Sequence, residues 1–308
     1  MKANRIYISG ITGFVGANLK QYLKGTGEII GLSRNASHED GDITYQNLTT
    51  THLDRAIAFV HLAGKAHDLK KTTEESEYFS VNTDLTIKLF DEFLKSECKI
   101  FIFLSTVKAV ADKVDGILTE TTVPNPITAY GKSKLKAEEY IRSCEIPNSK
   151  KVYILRPCMI HGPNNKGNLN LLYKIINSKI PFPLGGFNNE RSFLSIDNLC
   201  FVIQELIIKQ PDSGVYNLAD NETLSINKLV VLIGETIKKP ARVLNVPKNV
   251  IKLVARIGNY LPIPLNQERL EKLTENYCVS NAKIRKAINS ELPLTATEGL
   301  SITIKSFK

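Results

Sequence analysis

The chain has 308 residues, 43% of them hydrophobic, enough for one full core or for a large domain carrying a smaller one. Its net charge of +9 comes from 40 basic and 31 acidic residues spread along the chain, with no dense basic block interleaved with aromatics. That disfavours a nucleic-acid partner and fits a solvated surface that steers an anionic substrate. The 5 cysteines, an odd number without CxxC pairs, argue against a disulfide framework or zinc site and for a reducing cytoplasm.

The first predicted strand, RIYIS (5–9), starts within a few residues of Met1, leaving no room for a signal peptide. SGITGFVG (9–16) follows it and opens a helix over 15–23. Glycines at Gly10, Gly13 and Gly16 permit a tight turn, close approach of a pyrophosphate, and tight packing of helix on strand. The anion would lie against the helix N-terminus, where free N–H groups and the dipole favour it. The second strand, EIIGLS (28–33), ends at Ser33 and Arg34, with no acid before Glu39. An acid there would bind a ribose 2′-OH, whereas an arginine grips a 2′-phosphate. The pair points to NADP, or relaxed choice, over strict NAD.

Further strands are predicted over 56–63, 99–105 and 151–156, with helices over 82–96 and 129–143 between them. Strands apolar nearly throughout and alternating with helices imply an α/β fold with a doubly wound parallel sheet. His61 and His67, six apart at a strand end, lack the spacing of a helical metal site, so no metal is expected. Together with Lys65, His67 is a candidate for the substrate pocket. Ser105 and Thr106 close the fourth strand, at the carboxyl edge where open α/β sheets bind ligands. Tyr130 and Lys134, at i and i+4, share one helix face. A lysine ammonium beside the phenol, near an oxidised nicotinamide, would lower the tyrosine pKa and fit it for proton exchange with a substrate hydroxyl.

After about residue 160 the alternation loosens into HGPNNKG (161–167) and IPFPLGG (180–186), before a strand-like GVYNLA (214–219). The organisation expected is a dinucleotide-binding domain, 1–162 plus 191–219, and a smaller C-terminal substrate domain, 163–190 plus 220–308. KNVIKLVARIGNYL (248–261) is amphipathic and basic; packing of the small domain is preferred to membrane-surface association. No apolar run reaches a membrane span.

SGITGFVG, HLAG (61–64), LST (104–106), AYGKSK (129–134) and LRPCMIHGP (155–163) resemble, in order and spacing, the extended short-chain dehydrogenases/reductases. Nucleotide-sugar epimerases, dehydratases and 4-ketoreductases belong to that group, and the resemblance is to UDP-glucose 4-epimerase-like members. It implies Thr106, Tyr130 and Lys134 as catalytic residues, with Asn82 supporting the site. Cofactor contacts are implied at Gly10, Thr12, Gly13, Phe14, Val15, Gly16, Ser33, Arg34, Asn47, Leu48, Leu62, Ala63, Gly64 and Ser105. Pro157 is placed against the nicotinamide. On the substrate side it implies Lys65 and Thr106, Asn168 at a phosphate, Pro183 along the nucleobase, and Arg191 at the diphosphate with Arg269 as a second candidate. Asp197 falls where the family has a structural carboxylate.

Three departures matter. Asn47 replaces an aspartate expected near adenine, and His161 stands where tyrosine is frequent. Val107 and Lys108 occupy the positions at which a sugar 4,6-dehydratase carries an Asp-Glu pair, so dehydration is disfavoured. The expected function is an NAD(P)-dependent 4-epimerase or 4-ketoreductase acting on a UDP-hexose, in surface-polysaccharide precursor synthesis. The expected partners are a UDP-linked sugar nucleotide and a second copy of the chain, without stable membrane insertion. The rival reading, a non-catalytic dinucleotide-sensing protein, has no need of Tyr130 and Lys134 in catalytic register.

Overall fold

The computed structural model describes residues 5–35, 42–66, 74–165, 168–260 and 266–307. The chain runs through β1 (Arg5–Ser9), α1 (Phe14–Tyr22), β2 (Glu28–Ser33), β3 (Ile43–Thr44), α2 (Thr50–Leu53) and β4 (Ala56–His61). Helix α3 (Glu75–Phe79) passes through a π-turn at Ser80–Asp84 into α4 (Leu85–Lys95) and β5 (Ile100–Leu104). A 3-10 turn at Val107–Ala109 and the short β6 (Ile117–Leu118) lead to α5 (Ala129–Ser143), β7 (Lys151–Pro157) and β8 (Met159–His161). Then come α6 (Asn168–Asn177), β9 (Arg191–Ser195), α7 (Ile196–Lys209), β10 (Gly214–Leu218), β11 (Thr223–Leu224) and α8 (Ile226–Thr236). The chain closes with α9 (Lys248–Ile257), α10 (Gln267–Thr274), β12 (Cys278–Val279), α11 (Ala282–Ile288) and α12 (Ala296–Lys305).

Among the described residues, seven strands form one parallel sheet in the order β10-β7-β5-β4-β1-β2-β3. Alternate side chains fill the two faces, as the strand period of two requires. Ile6, Ile8, Val60, Ile102 and Leu155 pack with Leu19 of α1 and Leu199 of α7. Tyr7, Phe59, Phe101, Phe103 and Ile154 pack with Phe90 and Phe93 of α4 and Ile141 of α5. Both faces are covered, so the strands are apolar throughout; β5 is buried at every position. From β1 the chain winds outward to β2 and β3, then returns to β4 and runs the other way. The crevice between the ends of β1 and β4 is the topological switch point, where such sheets bind ligands.

A second apolar core gathers Leu172, Phe182, Leu184, Leu229, Ile233, Ile251, Leu270 and Leu300. Strand β9 bridges the two, with Phe193 in the second core and Leu194 in the first. Part of 220–308 packs on the sheet and not in this second core. Tyr277, Val279, Ile284 and Ile288 join the sheet core, because α11 lies against β10 and α7. No helix among the described residues is long and apolar enough to cross a membrane.

Candidate active site

The glycine-rich turn lies at the switch point. Gly10 has φ +72°, and a Cβ there would be 2.8 Å from the Ala63 amide nitrogen. At Gly16 it would be 2.3 Å from the Gly10 carbonyl oxygen, so α1 approaches the turn as closely as backbone allows. Gly13 caps α1 without any side-chain hydrogen bond, leaving the first-turn amides of Phe14, Val15 and Gly16 for an outside acceptor. Thr12 and Gly13 are exposed at the mouth of this cradle. It fits a dinucleotide pyrophosphate: no capping side chain occupies the helix N-terminus, and the backbone contacts that shape the turn leave no room for a Cβ at Gly10 or Gly16.

Around the adenosine end, Ser33 is buried and donates to the Asn35 carbonyl, while Arg34 and Asn47 are exposed and Leu48 is buried. Two neighbours escaped the sequence reading. The Tyr45 phenol reaches the Gly10 backbone and faces Arg34; burial raises its pKa, partly offset by both contacts. Asp42 accepts the Gly31 amide at 2.7 Å. The carboxylate missed in the sequence beside β2 thus comes from the segment entering β3, and it opposes a 2′-phosphate. Its position along the chain gave no sign of this, since the partner is eleven residues away.

The Ala63–Gly64 turn is held from below by a chain of buried hydrogen bonds. Thr86 donates to the Asn82 carbonyl at 2.7 Å and therefore accepts from His61 Nε2 at 2.8 Å. His61 Nδ1 then accepts from the Ser9 hydroxyl at 2.5 Å, and the Ser9 oxygen accepts the amides of Leu62 and Ala63 at 3.1 and 3.2 Å. Burial, with Lys134 adding to it, pushes the His61 pKa well below the usual value and keeps the ring neutral. Every member has a partner, so the chain fixes the turn without stranding a polar group. Asn82, buried in the π-turn, accepts the Lys65 amide at 2.8 Å and donates to the Lys65 carbonyl and Ser133 hydroxyl. It ties the turn after β4 to α5.

Tyr130, Thr106 and Lys134 come together at the carboxyl end of β5. Thr106 caps the 3-10 turn and hydrogen-bonds Tyr130. Lys134 is buried; its Nζ donates to the Leu104 carbonyl at 2.9 Å and lies 4.7 Å from the centre of the Phe103 ring. A Cβ on Gly64 would lie 2.9 Å from that Nζ. Burial lowers the Lys134 pKa to about 7, with Glu138 opposing. The protein's own groups do not by themselves produce the lowering expected at Tyr130 beside a nicotinamide. Burial raises its pKa against the Thr106 hydrogen bond, and Tyr78 raises it further.

Ser105, expected at the cofactor, turns its hydroxyl the other way and donates to Glu138. Glu138 forms a fully buried ion pair with Arg156, which fastens α5 to β7 beside Pro157. Pro157 is buried and pairs with Leu218. Neither sequence distance nor residue type announced that pair.

On the substrate side, Lys65 pairs with Glu77 at 2.6 Å and lies over the Tyr78 ring. Arg191, at the start of β9, donates to the Lys272 carbonyl and lies 3.7 Å from Glu275. Lys108 lies over the Tyr277 ring at 4.4 Å and donates to the Asp112 carbonyl. Its pKa is lowered by burial; Glu275 and Asp112 raise it, and Arg191 and Lys272 lower it further. Lys108 and Arg191 thus share one half-buried recess with Glu275, while Lys272 close by is held by Glu268 at 2.7 Å; two cations so placed suit a diphosphate. Lys108, which the sequence reading used only to disfavour dehydration, belongs to this recess. Arg269 is exposed on α10, the helix that carries Lys272, and Pro183 is half-buried between core residues Phe182 and Leu184. Asp197 lies in the first turn of α7. Asn168 opens α6, but its side chain lies outside the described residues, as does His67.

A glycine cradle at a switch point, with a tyrosine and a lysine over the adjacent strand end, defines a dinucleotide-binding enzyme of the short-chain dehydrogenase/reductase class. Residues 6–219 match the NAD dependent epimerase/dehydratase family. The chain belongs to that family and is an NAD(P)-dependent enzyme of its extended type, so the sensor reading falls. It is 29% identical to UDP-glucose 4-epimerase of Vibrio cholerae, over 98% of this chain and 95% of that one. It is 28% identical to N-acetyl-alpha-D-glucosaminyl-diphospho-ditrans,octacis-undecaprenol 4-epimerase of Escherichia coli O157:H7, over 92% and 85%. Its fold is shared by UDP-glucuronic acid 4-epimerase from Bacillus cereus in complex with NAD, at TM-score 0.74 and 18% identity over 98% of both chains.

Proposed function

We propose that the chain catalyses 4-epimerisation or 4-keto reduction of a UDP-linked hexose for surface-polysaccharide precursors. The observation that carries this reading is the meeting of Tyr130, Thr106 and Lys134 at the end of β5, beside the glycine cradle. Bound NAD(P) would supply the hydride acceptor or donor at C4. Phe14, Val15 and Gly16 amides would hold its pyrophosphate, with Ala63, Gly64 and Pro157 lining the nicotinamide end. Thr106 would orient the C4 oxygen by hydrogen bonding, and the Tyr130 hydroxyl would exchange a proton with that oxygen. The Lys134 ammonium would favour the phenolate, while Arg191 and Lys108 would grip the diphosphate.

The reading is tested by following products by NMR with UDP-hexoses and NAD, and with UDP-4-keto-hexoses and NADPH. A C4 epimer in the first mixture marks an epimerase, and NADPH consumed in the second marks a reductase; absence of both products overturns the reading. Tyr130→Phe is expected to lower turnover by about 100-fold or more while sparing cofactor affinity. Wild-type turnover in that variant would remove Tyr130 from the chemistry.

A second reading places the same C4 chemistry on a sugar diphosphate carried by a polyprenol, as the name of the E. coli O157:H7 relative describes. The outer face of α9, apolar and basic, favours it. Helix α9 packs on α10, whose Lys272 carbonyl receives Arg191.

A further inference from the structure

Helix α9 has two unlike faces. Ile251 and Ala255 are buried in the second core. Val250, Leu253, Val254 and Ile257 are 48%, 57%, 37% and 43% exposed. At helical spacing these four make one continuous stripe roughly 100° wide, and Tyr260, 87% exposed, prolongs it past the last turn. Lys252 and Arg256, also exposed, stand one turn apart on the stripe's other flank, and Lys248 lies a turn earlier. The helix contains no acid.

An exposed apolar stripe of this size needs a cover. A second copy of the chain fits badly. A twofold contact through this face would bring the basic flanks of two copies, Lys252 and Arg256 of each, to the rim of one interface, in a molecule of net charge +9. An anionic bilayer turns the same charges to advantage: the stripe enters the acyl boundary while the lysine and arginine stems reach back to phosphate headgroups. We propose that the outer face of α9 docks the protein on an anionic membrane surface. Docked there, the Arg191 recess lies one helix away from the bilayer, within reach of a diphosphate borne on a lipid. That last consequence rests on the second reading above; the docking itself does not.

The test uses the full-length chain and sedimented vesicles of phosphatidylcholine, alone or mixed with phosphatidylglycerol. Binding is expected only to the mixed vesicles, and to weaken with added salt. Leu253→Ser with Ile257→Ser should weaken it by about tenfold or more, and Lys252→Gln with Arg256→Gln should also weaken it. All four side chains are exposed, so both variants should keep the wild-type melting transition and turnover on a water-soluble UDP-sugar. Absence of binding to mixed vesicles, or binding undiminished in the apolar variant, overturns the proposal. So does a wild-type dimer in sedimentation velocity that the apolar variant converts to monomer, since the cover would then be a second copy. Vesicle binding is read without turnover, so failure of the C4 chemistry leaves this result standing.

Discussion

Lys134 is a cation placed where water cannot reach it, and its titration should be visible in the stability of the free protein. Burial brings its pKa to about 7, against about 10.4 in an unfolded chain. Between those values the unfolded state binds the extra proton, so stability rises with pH. Below about pH 7 the full penalty is present, and above about 10.4 it is gone. Compared with Lys134→Met, wild-type stability in urea should gain on the order of 2–3 kcal/mol from pH 7 to 9.5; a constant difference would mean that Lys134 titrates normally. Cofactor choice is a second contest at this scale. Arg34 closes β2, and Asp42 lies beside Gly31 three residues earlier, about 10 Å along the strand. Arg34→Ala should lower NADP affinity about tenfold to a hundredfold and leave NAD nearly unchanged. Asp42→Asn should favour NADP about fourfold, since each of two added phosphate charges at that range is worth about 0.4 kcal/mol in water. Calorimetry with both cofactors checks this; equal NADP affinity in all three proteins would mean that the 2′ position lies elsewhere.

At the scale of elements, the catalytic geometry depends on how the start of α5 packs on the turn after β5. Asp112 accepts the amides of Ile127 and Thr128 at 2.7 and 3.2 Å, and Thr128 caps the helix. A Cβ on Gly131 would lie 2.4 Å from the Lys108 carbonyl oxygen and 2.9 Å from Pro126 Cβ. Gly131→Ala should therefore push the helix start away from Thr106. Expected are a stability loss of about 1–3 kcal/mol and a larger fractional loss of turnover than of cofactor affinity, by urea titration and steady-state kinetics. Unchanged turnover would mean that the turn and helix move together. The elements themselves were legible in the sequence because apolar runs such as 99–105 and the i, i+4 pair Tyr130–Lys134 are local signals. The Glu138–Arg156 pair and the Ser9–His61–Thr86 chain were not, because their partners lie 18 to 52 residues apart. The same limit hid Asp42 and the packing of Tyr277, Val279, Ile284 and Ile288 on the sheet core.

Across the whole molecule, β9 joins the two cores, and Arg191 stands at its first residue with partners from the far side: the Lys272 carbonyl and Glu275. The glycine cradle belongs to the first core's strands, so on the proposed reading the two ligands would draw on different parts of the fold. Arg191→Ala should raise the KM for a sugar nucleotide about tenfold to a hundredfold, the equivalent of losing a charge-assisted fork. Cofactor affinity should be spared. Arg191→Lys keeps the charge without the fork and should fall between. Glu275 gives the opposite sign. It is the carboxylate beside Arg191 and Lys108, so a diphosphate bound there would have to compete with it. Glu275→Gln should then lower the KM and leave cofactor affinity unchanged, because the cationic recess loses its internal anion. A rise in KM on that substitution would mean that Glu275 positions Arg191 for the diphosphate instead of opposing its binding.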